Sequence, residues 1–313
     1  MFYKLIFKKE AIVTIGISSF WLVFSMCLDL YKSSELPGVF FDRKLEVVLF
    51  YVAVGLVSFY FNQVLRTTKL IGNSDFSVML LSVLLLSSLG QSAVVYQFLL
   101  GFQFLLFLVS KIQKGFNQPE NIFPEFEVGA LTGILSLINP IFVVIFPFVY
   151  FAFVNVKVNS WRGFFAVVLG FFFIWFLKWS FLVLTDQELV MANIMDIHFS
   201  PKALMFNSWM HQTAAILLAA VFVLSMNYFM KVSAKLNIRI RIFYKVWIWL
   251  GLFLLSGLLL IENSMTMPQL LLCINLPMLV LYTVWVSSLS KKLFQELASL
   301  VLIAVAVLFK FGI

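Results

Sequence analysis

Charge is scarce in this chain: 12% of its 313 residues are charged, against roughly a quarter in an ordinary soluble domain. That shortage excludes a molecule whose surface faces mainly water. Cysteine is limited to Cys27 and Cys273, each at the end of an apolar segment, where a free thiol behaves as a small hydrophobe, so a disulfide scaffold is not expected. There is no Gly-rich phosphate loop ending in Lys and Ser/Thr, and no HExxH, CxxC or GxSxG. The motifs of an ATPase, a zinc protease, a thiol oxidoreductase and a serine hydrolase are therefore missing. Carboxylate pairs at the centres of apolar segments, which ion-coupled pumps use, are missing as well. No metal or cofactor is expected.

What the chain has in excess is apolar bulk: 63% of residues are hydrophobic, 38 are Phe, and mean hydropathy is +1.04. A bilayer core about 30 Å thick takes about 20 apolar helical residues to cross. Seven segments qualify directly, 11–28, 47–65, 163–184, 207–230, 246–261, 268–289 and 293–308. The stretches 78–110 and 128–156 are longer, and each is either one span or a hairpin of two short arms. Arg66 and Lys69 precede the first stretch, Lys111 and Lys114 follow it, and Lys157 and Arg162 follow the second. If those cations stay on the cytoplasmic side, both stretches must enter and return. Breaks stand where a return needs them, at Gly90-Gln91-Ser92 and at Asn139-Pro140. The first arms are too short to cross alone, so they must extend into polar flanks or dip in and turn back.

The expected fold is all-α, a polytopic transmembrane bundle of about eleven helices with a cytoplasmic amino terminus and a periplasmic carboxyl terminus. Lys and Arg then divide as sixteen inside, five outside and Lys178 within a helix. The formal charge of +8 is scattered over short loops, which fits retained cytoplasmic loops and not nucleic-acid binding. The whole chain, 1–313, is expected to form a single membrane domain of helices 1–184, an outer interfacial segment 185–206 and helices 207–313. The basic start MFYKLIFKKE and the apolar run after it lack a small-residue cleavage site, which predicts an uncleaved first helix.

Residues 129–170 read GALTGILSLINPIFVVIFPFVYFAFVNVKVNSWRGFFAVVLG, with Gly129, Gly133, Pro140, Trp161-Arg162 and Gly170; Phe61-Asn62 stands before Arg66. Over most of its first two thirds the chain resembles an uncharacterised family of multi-pass inner-membrane proteins of Bacteroidota, defined by a domain of unknown function. The resemblance implies the topology and a bacterial inner-membrane location, and no activity. More faintly, the chain is similar to multi-spanning glycosyltransferases that use polyprenyl-phosphate sugars. Those have a first helix, an outward loop bearing an acidic base, and short paired helices. Asp29 and Asp42 would occupy that loop here, although 29–46 is shorter than such loops usually are.

On that similarity Asp29 would deprotonate an acceptor hydroxyl at the outer leaflet, while Arg43 and Lys178 would hold a lipid phosphate near His211. Lys178 also has a plainer reading, in which it snorkels to headgroups or pairs with Asp186. In the outer gap, Asp186, Glu188, Asp196, His198 and Lys202 lack the spacing of a metal site. Residues 189–199 read better as an interfacial amphipathic helix. On the inner side Lys231, Lys235, Arg239, Arg241 and Lys245 alternate with Ile, Phe and Tyr. They fit anionic lipid headgroups or a docked protein partner. Three functions remain open: an enzyme handling a lipid-linked substrate, a non-enzymatic subunit or assembly factor of an envelope complex, and a small-solute transporter built on the interrupted segments.

Overall fold

The computed structural model describes residues 11–32, 43–68, 70–71, 77–89, 92–115, 123–156, 161–184, 209–233, 236–261, 266–289 and 292–311. Among them the chain is all-α, with eleven α-helices and one 3-10 segment. The helices are α1 (Ala11–Lys32), α2 (Arg43–Thr67), α3 (Ser77–Leu86), α4 (Ala93–Gly115), α5 (Phe123–Ile138), α6 (Ile145–Val156), α7 (Trp161–Leu184), α8 (Trp209–Val232), α9 (Ile238–Leu260), α10 (Met267–Ser288) and α11 (Lys292–Phe311). Eight are long and apolar enough to cross a bilayer. The protein is a multi-pass membrane protein.

All seven segments predicted as plain spans are among those eight. The eighth is α4, which carries its helix through Lys111 instead of stopping at it. The ambiguous stretches resolve into α3 with α4 and α5 with α6. The arm expected from residue 128 lengthens into its polar flank, because α5 already begins at Phe123. Its break falls at Asn139, in an extended conformation (φ −153°, ψ 130°), whose side chain accepts from the Ile141 N–H at 3.0 Å and starts the 3-10 segment Pro140–Val144. Proline has no N–H to lose there, so the interruption is built from residues that tolerate it. The outer segment 185–206, with the interfacial helix expected at 189–199, lies outside the described residues.

The chain divides into two compact units. The first comprises Met1–Leu99, Leu204–Trp247 and Met265–Ile313. At its centre is α3, ten residues long and buried at every position. It is about 15 Å of helix, half a bilayer core. It packs on α1, α2, α10 and α11. The Ser87, Ser88 and Leu89 N–H groups bond to the Val83, Leu85 and Leu86 carbonyls at 3.0–3.2 Å, so the helix tightens and stops. The chain then reverses: Tyr96, in the first turn of α4, donates to the Glu46 carbonyl near the start of α2 at 3.0 Å. Within this unit the stretch has therefore crossed to the end of α2 opposite Arg66 by the time α4 begins.

The second unit comprises Leu100–Ala203 and Ile248–Ser264, and its main contact is between α5 and α7. Gly163 lies against Glu125, Gly129 against Val167, Gly170 against Phe126 and Ala130, and Gly133 against Phe171 and Ile174. The two series rise together, so α5 and α7 run parallel, and the chain between them must return across the unit. A Cβ at Gly129 would overlap the Val167 carbonyl, and one at Gly170 the Phe126 carbonyl. In lipid, such close backbone approach substitutes for the hydrophobic drive that helices lack there. At the polar end of the pair, Lys111 and Glu127 form an ion pair.

Candidate functional site

The buried face of α1 is polar. Among the residues of α1 whose side chains are described, the buried ones are Thr14, Ser18 and Ser25. Phe20, Val23, Phe24 and Tyr31 are exposed. Spacings of four and seven residues put the three on one stripe of a 3.6-residue helix, and four further residues carry the stripe to Asp29. A helix with hydroxyls inward and phenylalanines outward has its apolar face against lipid and its polar face against α2 and α3, on which it packs. Helix α2 answers with Tyr51, Ser58 and Asn62, all buried, and ends its stripe at Arg66. The two helices are antiparallel, since Gly55 lies beside Leu22 and Tyr51 beside Asp29. Together they form a polar seam about 22 Å long.

Close helix packing alone selects serine, but its hydroxyl then usually bonds to a carbonyl of the preceding turn. Ser18 does so, to Thr14 O at 2.8 Å. Ser25 and Ser58 do not: both hydroxyls are buried, at 1% and 0% exposure, without a partner among the described residues. An unpaired hydroxyl in such surroundings costs on the order of 1–3 kcal/mol.

At one end the seam closes on an ionic cluster. Lys310, in α11, donates to Asp29 Oδ1 at 3.0 Å and Oδ2 at 2.9 Å, to the Tyr51 hydroxyl at 2.8 Å and to the Ser87 carbonyl at 3.2 Å. The Tyr51 hydroxyl in turn donates to Asp29 Oδ2 at 2.6 Å. The Lys310 and Asp29 side chains are 9% and 19% exposed. Ser87 follows the last residue of α3, where carbonyls lack helical partners and the helix dipole is negative, so an ammonium there satisfies orphan acceptors and charge together. The neighbouring groups complete that helix end. Trp21 Nε1 donates to Ser87 Oγ at 2.9 Å, and Ser88 Oγ reaches Ala306 O at 3.0 Å. Gln269 Nε2 donates to Leu89 O at 2.8 Å while its Oε1 accepts the Thr266 N–H at 2.9 Å, serving α3 and the start of α10 at once.

The residues singled out in the sequence fall as follows. Asp29 is helical: α1 runs on to Lys32, so the acidic residue expected in the outward loop is in the last turn of the helix, held by two donors. Arg43 is the first residue of α2, and Asp42 lies outside the described residues. His211 is in the first turn of α8, buried, its ring stacked on Phe309 at 5.9 Å, with Nε2 unpartnered among the described residues. Lys178 belongs to α7 in the second unit, its ammonium 5.1 Å from the centre of the Trp175 ring, a cation–π contact of the kind that lets lysine lie against an aromatic surface. Asp186, its alternative partner, is outside the described residues. On the basic loop Lys231, Arg239 and Lys245 are exposed, Arg239 lies over the Phe243 ring, and Lys235 is outside the described residues.

Lys310 and Tyr51 were not foreseen as site residues. A lysine inside the apolar run VLFKFGI, with no counter-charge near it in sequence, is the signal that points to the first. The polar residues recurring at 14, 18, 25 and 29 are the signal for the seam. Among the described residues, no group of three or more His, Cys, Asp or Glu is placed to hold a metal. Comparison of the chain with protein-family models, curated proteins and solved structures returns no match.

Proposed function

We propose that the protein is a carrier of the bacterial inner membrane that moves a small polar solute along the seam between α1, α2 and α3. One observation supports this above the others: the seam keeps two buried hydroxyls, Ser25 and Ser58, without a partner among the described residues, along a stripe that ends in charge at both ends, Asp29 and Arg66. A short helix stopping inside the bilayer, with its backbone end turned to a polar centre, is the construction transporters use for midplane binding. A multi-pass architecture with interrupted helices supports the same reading.

The lipid-linked reading, a glycosyltransferase-like protein acting on a polyprenyl-phosphate substrate, has one feature in its favour: a carboxylate, Asp29, near the helix end that the charge distribution assigns to the outer leaflet. For Asp29 to act as a base there, Lys310 must first leave it. A phosphate drawn to Lys310 would also meet that carboxylate and the carbonyl end of α3, both of which repel it.

Accessibility of Ser25 separates these readings. Ser25→Cys changes little in volume and breaks no hydrogen bond to a described partner. In a chain whose Cys27 and Cys273 are replaced by serine and alanine, a carrier is expected to expose Cys at 25 to a small membrane-impermeant thiol reagent added on either side of sealed vesicles. Labelling from the outer side alone would favour the lipid-substrate enzyme. Labelling from neither side would favour a structural subunit, and both results contradict the carrier.

A further inference from the structure

We propose that the solute moved along the seam is uncharged and hydroxyl-bearing, a short linear polyol, passed between the hydroxyls of Ser25 and Ser58 and the indole N–H of Trp247. The inference rests on the carrier reading and names its substrate class. Trp247, in α9, belongs to the same unit and is fully buried, its ring centre 5.2 Å from that of Phe61 on α2. Its Nε1, like the Ser25 and Ser58 hydroxyls, has no partner among the described residues. A buried indole N–H normally finds an acceptor. The register of α1 on α2, Leu22 beside Gly55 and Asp29 beside Tyr51, sets Ser25 level with residues 52–55. Ser58 is then about 5–9 Å further toward Arg66, and Phe61 with Trp247 about 5 Å beyond it. Three buried polar atoms without a described partner thus follow one another along the course the solute is to take.

The chemistry of those atoms selects the class of solute. A serine hydroxyl both donates and accepts, while an indole N–H only donates. A group that meets all three in turn must therefore give and take hydrogen bonds, and an alcohol does both at one oxygen. An ammonium only gives and a carboxylate only takes, and each brings a charge. Over 14–28 of α1, 52–65 of α2, the whole of α3 and 246–260 of α9 there is no charged side chain. An ion in that length would find no counter-charge on these helices, and its desolvation would go uncompensated. The passage is also narrow. A Cβ added at Gly55 would stand 3.5 Å from Leu22 Cδ1, in ordinary van der Waals contact, so α1 and α2 are parted there by little more than a methyl group. That width suits an extended carbon chain and not a sugar ring.

The test uses the full chain in sealed vesicles, with radiolabelled erythritol and erythronate as probes; the two share a carbon skeleton and differ by a carboxylate. After subtraction of uptake by vesicles without protein, erythritol is expected to enter at least about tenfold faster than erythronate. Ser58→Ala and Trp247→Phe each remove one hydrogen-bonding group and keep most of the packing, and each should cut erythritol uptake roughly tenfold. Neither should unfold earlier than the wild type, because each deletes a buried polar group with no described partner. Ser18→Ala removes a hydroxyl already committed to Thr14 O and should leave uptake unchanged. Erythronate entering as fast as erythritol, uptake of neither, or wild-type erythritol uptake in both Ser58→Ala and Trp247→Phe overturns the polyol class. A lowered Tm in both of those variants would show that the two groups are bonded within the protein, and overturns it as well. Should the class fail while Cys at 25 is still labelled from both sides, the carrier stands and only its solute is wrong; labelling from neither side removes the carrier itself.

Discussion

Asp29→Ala is expected to destabilise the protein by about 3 kcal/mol, the lower end of the range for stripping one partner from a buried ion pair. Among its described partners the carboxylate is the charged acceptor for Lys310; the Tyr51 hydroxyl and the Ser87 carbonyl are neutral. The loss is held to the lower end because Lys310 is the penultimate residue of α11, from which a released ammonium can snorkel toward headgroups. In thermal unfolding this is a fall on the order of 10 °C. Replacing both members, Asp29→Leu with Lys310→Met, should recover most of it, since an apolar pair of similar volume avoids the desolvation of two charges. Equal destabilisation in the single and double variants would mean that the two side chains are not coupled.

Gly129→Leu should be more damaging still. The α5 and α7 backbones meet through Gly129, Gly133, Gly163 and Gly170, and a side chain at Gly129 has the Val167 carbonyl in its place. Neither backbone can yield without separating the pair along its length, so the cost is expected at about 3 kcal/mol or more, the upper range of overpacking. The readout is loss of monodisperse protein on size exclusion together with a lowered Tm. Leu169→Ala, on the lipid-facing side of α7 and 63% exposed, provides the comparison and should change stability by no more than roughly 0.5 kcal/mol. A Gly129→Leu protein as stable as that control would show that α5 and α7 are not held by backbone contact.

The two effects mark what a linear reading of this chain can reach. The eleven helices among the described residues and the return after α5 are legible because they follow from the length of apolar runs and the side on which cations are kept, and each of those is local. Asn139-Pro140 is legible for the same reason: both residues resist the helix where they stand. Helix ends near charge are less so. Asp29 reads as the first loop residue because an isolated carboxylate ends an apolar segment, yet α1 continues through it. The partner that makes this possible, Lys310, is 281 residues away. Counted by itself, Lys310 reads as one more cation of an outer loop. The glycines of 129–170 stand out in the sequence without a reason attached, and the parallel α5–α7 contact supplies it. The serine stripe of α1 was open to inspection by period alone, but a hydropathy window averages it away against Phe20 and Phe24.

A polar seam that crosses most of the bilayer core and interrupted segments that turn back are the two features on which the carrier rests. Single cysteines in a cysteine-free chain, labelled with an impermeant reagent on sealed vesicles of known orientation, test both. Cysteines at Thr67, Lys114 and Arg162 should react only from the cytoplasmic face, and one at Tyr31 only from the opposite face. If Lys114 and Arg162 react from different faces, or Tyr31 and Thr67 from the same one, neither the crossing pattern nor the seam as described can stand.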